Sequence, residues 1–61
     1  MLFRQYQEGS HVFRLVVFRS DSGWELHEER DQRVIKMTRH SDWHRVERAI
    51  QSFERRQPAQ P

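Results

Sequence analysis

Arginine is the residue type in this 61-residue chain whose chemistry is easiest to place, because its planar guanidinium binds phosphate and carboxylate groups. Four arginines near the C-terminus recur at the spacing of one helix face: Arg45, Arg48, Arg55 and Arg56. On a helical projection they fall in an arc of about 100° that points away from the apolar side chains. This segregation is typical of a helix that contacts nucleic-acid phosphates, although an ordinary solvated helix face has the same composition.

A second set of side chains is expected on the face of a β-sheet that no helix covers. Its cations are Arg4, Arg14 and Lys36, and its apolar members are Tyr6, Val12, Val16 and Phe18, with Phe3 as the alternative to Arg4 and Tyr6. Exposed patches of this type usually mark interfaces, so we predict a homodimer through this face. Aromatic rings among cations would alternatively stack single-stranded bases. Glu25 and Glu29 share the face and would repel phosphate, so their cross-strand pairing with Arg14 and Lys36 is the simpler interpretation.

The histidines could in principle serve metal binding or acid–base catalysis. His40 and His44 have the four-residue spacing of metal ligands on a helix, but His40 precedes the expected helix cap and the chain has no cysteine. We therefore predict no metal and no cofactor. His27 lies close in sequence to Glu25 and Glu29, but a chain this short has little room for a water-excluding pocket. We predict that the protein is not an enzyme.

The strands that would position these side chains are indicated by apolar residues at a period of two. The predicted strands are His11–Arg19, Trp24–Arg30, Arg33–Arg39 and a fourth over Leu2–Gln7, where a flexible arm is the alternative. Glu8-Gly9, a three-residue connection at 21–23 and a tight turn at 31–32 would join them.

One amphipathic helix is predicted after the strands. Trp43, Val46, Ile50 and Phe53 recur at helical spacing, and Ser41 is the expected N-cap. The chain is therefore expected to form an α+β domain over residues 1–56, an antiparallel three- to four-stranded β-meander followed by one C-terminal helix packed on one sheet face. The expected core consists of these four helix residues with Phe13, Leu15, Val17, Trp24, Leu26, Ile35 and Met37. Two prolines predict a disordered tail over 57–61.

Composition limits the classes of partner. The net charge is only +2, although the isoelectric point is 9.9 because ten of the eleven basic residues are arginine. Phosphate binding must therefore depend on where the arginines lie, and the preference for arginine could also reflect a GC-rich genome. The longest apolar run, Leu15–Phe18, is far shorter than a membrane span. The first ten residues lack the apolar core of a signal peptide, so we expect a cytoplasmic protein with no membrane partner.

The region from the last strand into the helix resembles the PC4-like single-stranded-DNA-binding fold. In Met37–Ile50 a tryptophan opens the helix and aliphatic residues follow at +3 and +7, at Trp43, Val46 and Ile50. Members of that family are dimers that bind single strands on basic, aromatic-bearing sheets. The resemblance implies that role here for Arg4, Tyr6, Arg14, Phe18 and Lys36.

These features together predict a small non-enzymatic nucleic-acid-binding or regulatory accessory protein that forms a homodimer. The alternative is a protein–protein interaction module, such as a phage-type inhibitor or an assembly subunit, whose apolar patch binds a protein partner.

Overall fold

The computed structural model describes residues 1–57 and shows one four-stranded antiparallel sheet followed by one helix. The strands lie in sequence order across the sheet, and the elements are β1 (Leu2–Glu8), β2 (His11–Ser20), β3 (Gly23–Arg30), β4 (Arg33–His40) and α1 (Trp43–Arg55). The predicted α+β meander is therefore confirmed, and the first residues form a strand. The predicted tail, apart from Gln57, lies outside the described residues.

Each hairpin closes through a two-residue turn. Asp31 and Gln32 have φ values of 52° and 71°, the left-handed conformation that matches the twist of the flanking strands. The predicted three-residue connection at 21–23 is wrong, because Gly23 already belongs to β3 and pairs with Ser20. Gly23 has a φ of 141°, and a Cβ there would lie 2.5 Å from the carbonyl oxygen of His40. Only glycine allows the end of β4 to approach β3 this closely.

The N-terminus of α1 is capped by Asp42. Its backbone is extended and its Oδ1 accepts a hydrogen bond from the amide of His44 at 3.0 Å. The prediction of Ser41 as the cap is wrong by one residue, because Asp42 is the last extended residue before the helix. The described part of the chain contains no helix with the length and apolar character needed to span a membrane.

The core lies between α1 and one face of the sheet. Its buried apolar residues are Tyr6, Leu15, Val17, Leu26, Val46, Ile50 and Phe53. The helix begins beside β3, where the rings of Trp43 and Trp24 are 4.7 Å apart, and ends beside β1, where Phe53 and Tyr6 are 5.0 Å apart. Trp43 was expected in the core but is 41% exposed, because it is the first residue of α1 and lies at the margin of the contact with the sheet.

A β-bulge interrupts the ladder between β3 and β4. Glu29 pairs with Val34, whereas Glu28 pairs with Lys36, so Ile35 is an extra residue on β4. Because successive side chains of a strand point to opposite faces, one extra residue exchanges the two faces for the rest of the strand.

The bulge overturns the expected orientation of β4. Met37 lies opposite His27 on the face away from the helix, whereas Lys36 and Thr38 lie on the helix side. The prediction that Ile35 and Met37 belong to the core is therefore wrong, and their exposed fractions are 48% and 59%.

Candidate functional site

The open face is the side of the sheet that α1 does not cover. One cross-strand row runs over all four strands, through Phe3, Val16, His27 and Met37, and is called the central row below. Phe3 and Met37, at its two ends, are more than half exposed, and Val34 is a further exposed apolar side chain of this face. The open face thus exposes apolar side chains on both edge strands of the sheet, and exposed apolar side chains grouped on one face usually mark an interface.

The charged side chains of the open face neutralise one another. Arg14 Nη2 lies 2.9 Å from Glu29 Oε1, as the sequence predicts. Arg39 Nε and His27 Nε2 lie 3.3 Å and 2.8 Å from the two carboxylate oxygens of Glu25. The hydrogen bond from His27 holds the pKa of Glu25 below its ordinary value, and the charge of Arg39 acts in the same direction. Neither arginine of this face therefore offers an uncompensated charge to phosphate.

Three of the side chains predicted for the open face lie on the helix side. Tyr6 is buried and stacks on Phe13 at 5.1 Å, because the two-residue turn at 9–10 pairs these residues across β1 and β2. Arg4 shares that side, so Phe3, the alternative, is the β1 side chain on the open face. Lys36 is moved to the helix side by the bulge.

The remaining predicted open-face residues lie where expected. Val12, Val16 and Phe18 are on the open face together with Arg14. The ring of Phe18 meets His27 edge-on at 4.9 Å. Sequence reasoning missed Met37 as a member of this surface, and the alternation of β4 contains no signal that could have found it.

The four arginines of the predicted helix surface divide into two groups. Arg45, Arg48 and Arg55 are exposed, and no salt bridge within residues 1–57 involves any of them. Arg48 and Arg55 are seven residues apart, so they lie on one face of α1 about 10 Å from each other. Arg56, by contrast, pairs with Glu28 and lies over the ring of Phe53 at 5.1 Å. The predicted four-arginine surface therefore consists of three uncompensated cations.

Ion pairs hold the C-terminal end of α1 against two strands of the sheet, β1 and β3. Arg4 on β1 donates to Glu54 with an Nε–Oε2 distance of 3.2 Å, and Arg56 donates to Glu28 on β3. Glu28 is the buried charged residue of the described chain. Arg4 and Arg56, both predicted to bind nucleic acid, thus have structural partners within the fold.

Asp31 joins the turn between β3 and β4 to the start of β2. Its Oδ2 accepts from His11 Nδ1 at 2.6 Å, and its Oδ1 accepts from the amide of Val12 at 2.9 Å. The hydrogen bond from His11, followed by that from Val12, holds the pKa of Asp31 below its ordinary value. The carboxylate of Asp31 therefore connects the β3–β4 hairpin to the β1–β2 hairpin.

The other histidines lie apart from these contacts. His44 Nδ1 is 3.7 Å from Glu47, and His40 ends β4. Within residues 1–57, no three histidine, aspartate or glutamate side chains converge as metal ligands.

No family model, no curated protein and no solved structure matches this chain. The PC4-like resemblance therefore stays a prediction.

Proposed function

We propose that the protein is a small, cytoplasmic, non-enzymatic accessory protein that binds nucleic acid through the solvent-facing side of α1. The observation that supports this proposal is the difference between the two sets of arginines. Arg45, Arg48 and Arg55 are exposed without a carboxylate partner in residues 1–57, whereas the arginines of the open face are paired. Unpaired guanidinium groups on one helix face bind phosphate without first breaking an ion pair.

The number of exposed arginines limits the expected affinity of this binding. Three phosphate contacts without base readout place the affinity in the range of non-specific binding, with a Kd of about 1–100 μM at physiological salt. Such binding releases counterions, so it weakens steeply as salt is added.

A single strand lying on the sheet, which the PC4-like resemblance implies, has less support than the helix. Tyr6 is buried, and Arg14 is paired with Glu29. Phosphate on the open face would have to displace that carboxylate, and Glu25 would repel it.

The test is fluorescence anisotropy of labelled single- and double-stranded oligonucleotides at about 50 and 200 mM salt. Neutralising Arg45 and Arg48 together with glutamine should weaken binding at least tenfold and make the slope of log K against log salt shallower by about 1.4–1.8. The matched control is the double variant R14Q/R39Q, which lowers the net charge equally but on the open face. Equal losses in the two double variants would contradict the helix surface.

The second candidate is a protein–protein interaction module, and the exposed central row favours it. Apolar burial depends little on salt, so its binding would not weaken in the way that phosphate binding does. Absence of oligonucleotide binding by the wild-type protein at 50 mM salt would leave this candidate in place of the first.

A further inference from the structure

The open face exposes large apolar side chains on β1 and on β4. Phe3 and Met37 are 56% and 59% exposed, and Val34 is 49% exposed. A 61-residue chain hides only about 60% of its extended surface, so its own core is thin. Covering this face would remove from water three large side chains that the monomer leaves exposed.

Reversing the central row places its two exposed apolar ends opposite each other. The central row reads Phe3, Val16, His27 and Met37 from β1 to β4. A two-fold axis parallel to the strands, between β2 and β3, reverses this order in a second copy. Phe3 then faces the partner's Met37, and Val16 faces the partner's His27.

The same axis also matches the opposite charges of one neighbouring row. The neighbouring row reads Gln5, Arg14, Glu29 and Val34. Reversal places Arg14 over the partner's Glu29, and Glu29 over the partner's Arg14. The opposite charges of this row therefore face each other twice, which is what an isologous interface requires.

We infer that the open face is the interface of a homodimer in which two copies of the sheet pack face to face and the helices lie on the outside. Packed sheets lie about 10 Å apart, with the side chains of the two inner faces interdigitating. This inference does not depend on nucleic-acid binding, because α1 lies on the other side of the sheet.

The area of the open face gives the size class of the dimer interface. Four strands about 4.8 Å apart and about eight residues long give a face of roughly 500 Å² per copy. Specific interfaces bury about 800 Å² per partner, so the dimer falls in the class of small interfaces. We expect dissociation in the micromolar range.

Sedimentation equilibrium between about 1 and 500 μM protein tests this interface, a range chosen to bracket a micromolar Kd. The wild-type mass should rise from 7.6 kDa towards twice that value. Phe3→Glu and Met37→Glu should both remain monomeric, because each places a charge against an apolar side chain of the second copy. Gln51→Glu, on the exposed side of α1, is the matched control and should dimerise like the wild type. Far-UV circular dichroism verifies that each variant is folded.

Two results would overturn the inference. One is a wild-type protein that stays monomeric at 500 μM, a concentration well above the expected micromolar Kd. The other is normal dimerisation of the Phe3→Glu variant together with a monomeric Met37→Glu variant. That pattern indicates that the edges of β4 pair, rather than the faces of the sheets.

A charge exchange tests the position of the axis. Arg14→Glu and Glu29→Arg should each weaken the dimer, because each brings like charges together across the interface. The double variant R14E/E29R should restore the wild-type mass. Failure of the double variant to recover would contradict the proposed axis.

Discussion

The guanidinium of Arg56 donates a hydrogen bond to the carboxylate of Glu28, which is buried on β3 beneath the C-terminal end of α1. Arg56 also lies over the ring of Phe53, a fully buried core residue. This side chain therefore compensates a buried charge and covers the core at the same time.

Removing the charge of Arg56 should destabilise the fold. Arg56→Gln leaves the carboxylate of Glu28 without its cation, and we expect the free energy of unfolding to fall by about 1–3 kcal/mol. Arg55→Gln, the neighbouring variant at a solvated position, should change it by less than about 0.5 kcal/mol. Urea unfolding measures both. The double variant R56Q/E28Q should recover part of the loss, and a loss that is equal in R55Q and R56Q would show that the pair has no structural role.

Gly23 should tolerate alanine less well than Gly9 does. A Cβ at Gly23 would lie 2.5 Å from the carbonyl oxygen of His40, whereas a Cβ at Gly9 would meet nothing within 4 Å. Both glycines have positive φ, so each alanine costs about 1–2 kcal/mol of backbone strain, and Gly23→Ala adds the displacement of β4. Thermal unfolding of the two variants measures the difference. Equal melting temperatures would mean that the end of β4 moves away without cost.

Stability should fall in acid, in part through Asp31. The pKa of its carboxyl group is lower in the folded chain than in the unfolded chain, so the unfolded state takes up protons first as the pH falls. The contribution of Asp31 is therefore complete above the unfolded pKa of about 3.9 and is lost as the pH falls through the folded pKa. Asp31→Asn keeps a residue that accepts the left-handed turn but removes the charge.

Urea unfolding between about pH 2 and 7 should show a shallower acid loss in D31N than in the wild type, because the titration of Asp31 is absent. Asp21→Asn, which removes one exposed carboxylate from another turn, is the matched control. The contribution of Glu25 should persist in all three proteins. Parallel profiles for D31N and the wild type would contradict the role of the turn.

A face-to-face dimer that binds nucleic acid should bridge two duplexes, because its helices point in opposite directions. This prediction requires both proposals above. Energy transfer between a donor-labelled and an acceptor-labelled duplex should appear on addition of wild-type protein. Met37→Glu should still bind one duplex by anisotropy but give no transfer, whereas R45Q/R48Q should lose both signals. Energy transfer that persists in M37E would show that bridging does not require the open-face dimer.

Much of the architecture is local in origin and was predictable. Alternating residues in β2 and β3, the turn residues between strands, and the Val46–Phe53 spacing of α1 determine the type and order of the elements. The burial of Leu15, Val17 and Leu26 follows from the same alternation. Turn lengths were less predictable, because Gly23 was assigned to the turn and belongs to β3.

The candidate site was predictable only in part. The outward position of Arg45, Arg48 and Arg55 follows from helical geometry, because they lie away from the apolar stripe. The pairing of Arg56 with Glu28 does not, because these residues are 28 positions apart in sequence. A contact of that kind depends on how the helix crosses the sheet.

Strand and helix periods are properties of neighbouring residues, so β2, β3, β4, α1 and their order follow from the sequence alone, whereas a flexible arm was the alternative to β1. Which face of β4 meets the helix depends on tertiary packing. An unbulged ladder would place Met37 on the helix side and Arg39 opposite Trp24, whereas the bulge at Ile35 places Arg39 opposite Glu25 and Lys36 opposite Glu28. The bulged register thus pairs opposite charges across β3 and β4, at the expense of leaving Met37 exposed on the open face. That choice depends on side chains of the neighbouring strand, which the alternation within β4 does not contain.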